Sequence, residues 1–385
     1  MNNLNKIFFI DILMLFEKNY TGIPVVNLEI VKYFLKEYPQ NVHFFYGEYI
    51  VNTQIVKEVI IKRTGQYLID KLKNNVKNFY TDDVSTFIQN ITKENPTQKL
   101  IGIFSFFRTQ DKKYFDEDFQ IFHDLTPLVT QEFHGKDVIS HIGLSLKLDA
   151  FKTDNLVCIS ESTKEDMITY LGVDTKNLYV STEGSEYHKY YNDQLKIVSK
   201  LGQSFTPKKF IYVLGTIEPR KNISIIFKYL NKYYKENDYT FIFTGRNGWG
   251  LSFSECLKAS LDRENYQTIL KKIKFLGYVS EQDKIYLLKN SLFTIYPSLY
   301  EGFGLPILES ISVGTPCLTT YSTSMPEICE DKGYYFDPFD EDDLRSKIIR
   351  LEQDIKDNPC LGQTMFEISK KFTWERFCKT AFKLG

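Results

Sequence analysis

Short apolar runs, bounded by polar or glycine-containing turns, alternate along this chain with longer stretches whose apolar residues recur at helical spacing. That alternation predicts an α/β protein in which a largely parallel sheet is covered by helices. In the first half it predicts strands near 6–13, 42–46, 98–104, 118–123, 155–160 and 177–181, with helices over 24–38, 135–150 and 161–171. Between Tyr190 and Lys209 the periodicity weakens and Gly202, Gln203, Ser204 and Pro207 appear, which predicts a linker. A second alternation then begins at 210–215 and continues through 241–245, 273–277, 293–296 and 316–319. Three of these strands run into a glycine, as a tight turn at a ligand-binding edge requires. The last stretch, 366–382, reads as helix and carries Trp374. Two α/β domains are therefore expected, 1–195 and 206–372.

Composition agrees with two domains and removes several function classes. A chain of 385 residues is long for one ordinary core. With 43% hydrophobic and 25% charged residues it is an ordinary globular sequence. Its formal net charge of −1 gives no global attraction to nucleic acid, so any anion site is local. The six cysteines are scattered without metal-like spacing, which predicts free thiols in a reducing compartment. The apolar start, 7–16, is interrupted by Asp11 and lacks a small-residue cleavage site, so a buried first strand is expected there. No apolar run approaches the roughly 20 residues needed to span a bilayer.

Two segments carry candidate chemistry. In Tyr296-Pro-Ser-Leu-Tyr-Glu-Gly-Phe-Gly-Leu-Pro-Ile-Leu-Glu309, glycines flank Phe303 and Pro306 sits where a helix begins. A glycine turn feeding a helix N-terminus presents free N–H groups and the positive dipole end, which suits a phosphate. Glu301 precedes that helix and Glu309 lies about one turn into it, so both are expected on one cleft. In Gly215-Thr-Ile-Glu-Pro-Arg-Lys-Asn222, Arg220 and Lys221 follow a strand and open a predicted helix near Lys221. Adjacent cations there form a clamp for a diphosphate, Arg as a planar fork and Lys as a mobile point charge.

Together these segments resemble the family 4 glycosyltransferases of the GT-B fold, most closely bacterial mannosyltransferases of surface-polysaccharide synthesis. The likeness covers most of the chain and is strongest over 210–336, where the E-x7-E segment is filled as EGFGLPILE. Phe275-Leu-Gly-Tyr-Val-Ser280, Ser324-Met-Pro-Glu327, Phe122-His-Asp-Leu-Thr-Pro127 and Ile159-Ser-Glu-Ser-Thr163 add to it. It implies two Rossmann-like domains facing a central cleft, an acceptor side in the first and a nucleotide-sugar side in the second. A final helix within 373–385 is expected to cross back to the first domain. It further implies that Arg220 and Lys221 grip the diphosphate, Glu309 takes the ribose hydroxyls and Glu301 orients the transferred sugar. Backbone N–H groups at Phe303, Gly304 and Leu305 assist, Val279 borders the base and His123 reaches the sugar from the other domain. Gly22, in Thr21-Gly-Ile-Pro24, takes the place of the family's amino-terminal glycine loop, although many relatives carry Gly-x-Gly there.

The activity so implied is a retaining hexosyl transfer that needs no metal or other cofactor, the nucleotide sugar being a co-substrate. GDP-mannose is the favoured donor, with UDP- and dTDP-sugars as alternatives, and the acceptor is a glycan that is expected to be lipid-linked in some settings. A non-catalytic glycan-binding subunit and a sugar-nucleotide isomerase or epimerase are the competing classes. Retention of Arg220, Lys221, Glu301 and Glu309 argues against the former. No nucleic-acid partner is expected. The expected location is the cytoplasm, at the inner membrane face where the acceptor is lipid-borne. The basic stretch 55–79 is weighed between anionic lipid and a solvated helix face, with the solvated face expected. The D-x-D strings at 116–118 and 340–342 are read as solvated turns, Asp124 as either a cap or an orienting group, and His43, His134, His141 and His188 as structural or surface residues.

Overall fold

A computed structural model describes residues 5–384 apart from 109, 111, 193–204 and 237. It divides into two compact units, Met1–Glu183 with Trp374–Gly385, and Gly184–Thr373. The division precedes the expected end of the first domain at 195. Tyr187 and Tyr190 pack with Phe210, Tyr212 and Leu288 of the second unit, and Tyr191 stacks on Phe366 at 3.9 Å, so this segment belongs to that core. Most of the predicted linker, 193–204, lies outside the described residues.

The first unit is built on strands β1 (Lys6–Asp11), β2 (Val42–Tyr46), β3 (Tyr49–Val51), β4 (Tyr80–Asp83), β5 (Lys99–Phe104), β6 (Glu117–Phe122), β7 (Asn155–Cys158) and β8 (Leu178–Val180). Their order is β4-β3-β2-β1-β5-β6-β7-β8, parallel from β2 to β8 and antiparallel at β2–β3 and β3–β4. Phe8, Phe9 and Ile10 of β1 are wholly buried, which accounts for the apolar start of the chain. The edge strand β4 and its neighbour β3 were not predicted, because such short strands show no period. The lysine-rich stretch is broken into helices Thr53–Lys62, Gln66–Asn74 and Val76–Phe79. Arg63, left-handed at φ 49°, ends the first of them. Gly65 then packs against backbone, where a Cβ would lie 2.3 Å from the Glu17 carbonyl oxygen. The chain returns to this unit through the helix Trp374–Ala381. Tyr179 donates to the Ala381 carbonyl at 2.7 Å, Ser181 to that of Phe377 at 2.9 Å, and Phe382 packs on Phe34 and Phe119.

The second unit holds β9 (Phe210–Leu214), β10 (Thr240–Thr244), β11 (Ile273–Phe275), β12 (Thr294–Tyr296), β13 (Cys317–Thr320) and β14 (Tyr334–Phe336). All pairings are parallel, in the order β11-β10-β9-β12-β13-β14. Numbered within the unit this is 3-2-1-4-5-6, the doubly wound order of dinucleotide-binding sheets. Connections leave β9 and β12, neighbours in the sheet, toward opposite faces. The crevice beyond their C-terminal ends is where such sheets bind ligands. Both candidate segments emerge there: 215–222 follows β9, and 297–309 follows β12.

Candidate active site

Glycine sets the backbone of the first segment. Gly215 and Gly245, at the ends of β9 and β10, both have φ 145°, outside the range comfortable for other residues. A Cβ on Gly245 would fall 1.8 Å from the Gly215 carbonyl oxygen, so only glycine allows the two strand ends to touch. The loop after Gly245 then braces the loop after Gly215. Ile217 donates to the Arg246 carbonyl at 2.8 Å, and Gly248 donates back to that of Ile217 at 2.8 Å. Arg220 and Lys221 sit in a 3-10 turn, Pro219–Lys221, and the helix starts at Ser224. This corrects the expectation that the helix opens near Lys221. Asn222 adopts a left-handed conformation (φ 49°) that ends the turn, and its amide is anchored on the Pro338 carbonyl at 2.8 Å.

The turn delivers both cations to Glu301. Its Oε2 accepts from Arg220 at 2.9 Å. Its Oε1 accepts from Lys221 at 2.5 Å, Ser298 at 2.5 Å and Tyr296 at 2.7 Å. Arg220 also donates to Glu218 at 2.9 Å and to the Tyr300 carbonyl at 2.5 Å. Two carboxylates thus balance two cations in a buried cluster. Burial pushes the Glu301 pKa up, but Arg220, Lys221 and the hydrogen bonds outweigh it and hold the carboxyl at about 2. Burial and the neighbouring Arg220 push Lys221 down, while Glu301 and Glu218 draw it back up. Glu218 is raised, first by its own burial. The Thr323 hydroxyl accepts from the Glu301 N–H and donates to the Glu301 carbonyl, both at 3.0 Å. Sequence reasoning did not identify Glu218, Tyr296, Ser298 or Thr323; only their adjacency to the motif could have signalled them. Gly215, Thr216, Lys221, Thr244, Tyr296 and Pro297 help to line a small pocket beside the cluster.

The helix Leu305–Ser312 begins as expected, with Gly304 as its N-cap at φ 115° and Pro306 in its first turn. Among the described residues, no acceptor is recorded for the N–H groups of Phe303, Gly304 and Leu305. The Phe303 ring itself is core, packed edge-on against Phe372. Glu309 lies on this helix but apart from the Glu301 cluster. It accepts from Lys284 at 2.6 Å, a residue of the helix Glu281–Asn290 that the sequence did not bring forward. Val279 is half-buried in the loop that enters that same helix.

In the first unit, His123 is buried after β6, its Nε2 2.7 Å from the Ser105 carbonyl and its Nδ1 3.5 Å from Glu183. Asp124 is a local cap, accepting from the Thr126 N–H and hydroxyl at 3.1 and 2.7 Å. Gly22 caps the helix Ile23–Glu37 at φ 62°, with Pro24 in its first turn. The string 116–118 is not a solvated turn, because Asp118 is fully buried and paired with Arg108 at 2.9 Å. Asp340 caps the helix Glu341–Asp357 and Asp342 pairs with Lys232 at the surface. His43 lies between Phe9 and Phe87, and burial lowers its pKa to about 4. In the lysine-rich stretch the side chains of Lys57, Lys62, Lys71, Lys73 and Lys77 are exposed. Among the described residues, no three His, Cys, Asp or Glu gather as a metal would require, and no helix is long and apolar enough to cross a membrane.

Residues 176–363, which hold the whole switch-point site, match the profile of the family described as Glycosyl transferases group 1. O-antigen chain mannosyltransferase B of Escherichia coli is 29% identical over 273 residues, 68% of this chain and 69% of the relative. Residues 176–363 thus resemble this glycosyltransferase family. A serotype-specific mannosyltransferase, WbdA, of Escherichia coli is 28% identical over 257 residues, which span 66% of this chain but 31% of WbdA. Among solved structures, a glycosyltransferase from Rickettsia africae superposes with a TM-score of 0.65 at 15% identity, covering 99% of this chain and 98% of its own. The fold is GT-B, with two Rossmann-like domains. Arg220, Lys221, Glu301 and Glu309 all lie within the segment that matches this profile.

Proposed function

We propose that this glycosyltransferase moves mannose from GDP-mannose to a glycan acceptor in surface-polysaccharide synthesis, with retention of configuration and without a metal. The observation that carries the reading is the placing of Arg220 and Lys221 against Glu301 at the switch point of the second sheet. Cleavage of the sugar–phosphate bond leaves negative charge on the diphosphate, and preorganised cations aimed at that charge are the expected main contribution. The unbonded N–H groups at 303–305 supply further donors. Donor binding is then an exchange, in which the diphosphate takes the cations and Glu301 turns to the sugar hydroxyls. Glu301 is a poor candidate for a covalent nucleophile. Its oxygens pass from Arg220 and Lys221 to the sugar hydroxyls on donor binding, so they stay engaged as acceptors and are not aimed at the anomeric carbon. Retention is accordingly assigned to front-face attack within a short-lived ion pair.

The names of the relatives favour mannose, and Glu309 with Lys284 offers a ribose contact that any nucleotide shares. The proposed setting is the cytoplasm, at the inner membrane face where the acceptor is lipid-borne. The test is thermal shift with GDP, UDP, dTDP and their sugars, followed by transfer to a mannosylated acceptor. Stabilisation by GDP and GDP-mannose with an α-linked product is expected. Stabilisation by UDP or dTDP alone would overturn the donor, and binding without turnover would overturn the enzyme.

A further inference from the structure

Tyr296 is among the side chains of the clamp that the sequence did not single out. Tyr296 ends β12 and is 2% exposed. Its hydroxyl lies 2.8 Å from Lys221 Nζ and 2.7 Å from Glu301 Oε1, and those two groups meet at 2.5 Å, closing a triangle. A phenol has one proton, and an ionised carboxylate only accepts. The hydroxyl therefore donates to Glu301 and accepts from Lys221. Burial and the adjacent Glu301 push the Tyr296 pKa well above its ordinary value, so that proton stays in place.

Resting on the proposed role of the clamp, we propose that Tyr296 is a positioning residue that keeps Lys221 charged and aimed at the leaving phosphate while Glu301 transfers from the clamp to the sugar. The need follows from burial. As Glu301 turns to the sugar and the diphosphate takes its place as counter-charge, a desolvated ammonium beside Arg220 loses a fixed acceptor that had held both its proton and its direction. Glu218 supports the charge from the same turn but is paired with Arg220. The phenol oxygen is the acceptor from Lys221 that donor binding does not consume. Charged groups facing Lys221 are thus Arg220, Glu218 and Glu301, and Tyr296 supplies the neutral dipole among them.

The experiment compares Tyr296→Phe with Tyr212→Phe in transfer assays at saturating acceptor across pH. Tyr212 is equally buried, but its hydroxyl meets only Thr244, at 2.6 Å, and so controls for loss of a buried phenol. Tyr296→Phe should lower kcat roughly tenfold or more, the scale of a hydrogen bond to a charged group, with a smaller change in donor KM. Its alkaline limb should move to lower pH, because Lys221 without that acceptor releases its proton more readily. Tyr212→Phe should keep the wild-type kcat and limb. A 3,5-difluorotyrosine at 296, a weaker acceptor of the same shape, should shift the limb the same way even if the phenylalanine variant folds poorly. Wild-type kcat and an unmoved limb in either 296 variant overturn the proposal. If Arg220→Ala and Lys221→Ala also keep wild-type kcat, the proposed function falls with it; if they lose activity, only Tyr296 is misassigned.

Discussion

Arg220 donates to Glu301 at 2.9 Å, so the side chain proposed to receive the phosphate is held by the side chain proposed to orient the sugar. This pairing keeps a buried cation from standing alone, and it places both groups within one exchange of the donor. The clamp should matter most as charge develops on the leaving group. Arg220→Ala or Lys221→Ala should therefore lower kcat more than it weakens donor binding, by about 2.7–4 kcal/mol in barrier, as for other preorganised stabilisers. Steady-state kinetics on both variants check this, and an unchanged kcat in the pair sinks the assignment.

Transfer should proceed without a divalent metal. The carboxylates of both D-x-D strings have other work: Asp118 pairs with buried Arg108, Asp340 caps a helix and Asp342 pairs with Lys232. Arg220, Lys221 and the helix N-terminus are placed to neutralise the diphosphate instead. Activity in EDTA should equal that in its absence. Complete loss in EDTA, restored by Mn²⁺, would contradict the scheme.

Glu301 should also mark acid stability. Its folded pKa of about 2 lies below the ordinary glutamate value of about 4.3. A depressed folded pKa stabilises fully above the unfolded pKa, and that contribution is lost as pH falls toward 2. Glu301→Gln should cost about 2–4 kcal/mol at neutral pH, since it leaves two buried cations under-compensated. The difference from wild type should narrow as pH falls below about 4. Urea unfolding at several pH values measures it; a constant difference down to the acid limit would be incompatible with the ion network.

The Gly245–Gly215 contact should resist any side chain. A Cβ at 1.8 Å from a carbonyl oxygen cannot be relieved by a rotamer change, because both partners are backbone. Gly245→Ala should cost at least about 2 kcal/mol and weaken donor binding, through the displaced loop that carries Arg220. An alanine variant with wild-type Tm and donor KM would show that the two strand ends do not hold each other as described.

The second unit was the more legible in sequence because three of its strands run into a glycine, so Gly215 and Gly245 announced both the sheet and its ligand edge. Glu301 and Glu309 stood out through the turn and proline between them. What stayed hidden was long-range. Tyr296 and Ser298 look like ordinary strand-end residues until β12 is set beside β9, and Lys284 reaches Glu309 only because two helices pack together. The domain division was misjudged for a similar reason. Tyr187, Tyr190 and Tyr191 have no period of their own and gain their place from Phe366 and the β9 core.

The two glutamates should fail in different ways. Glu309, 15% exposed in its side chain, is held by Lys284 on the helix face and is proposed to bind ribose, a part that does not react. Its contribution is then similar in ground and transition states, so Glu309→Gln should raise donor KM roughly tenfold with kcat little changed. Its folding cost should stay below about 1 kcal/mol, because the pair is partly solvated. Glu301 is proposed to touch the sugar that gains positive character, so its interaction strengthens along the reaction. Glu301→Gln should mainly lower kcat, and it should also lose Tm, because four donors surround its carboxylate. Kinetics and melting measured side by side at saturating acceptor separate these effects. The reverse kinetic pattern would mean that the two roles are exchanged, and equal losses of stability without a kinetic split would leave both glutamates as framework.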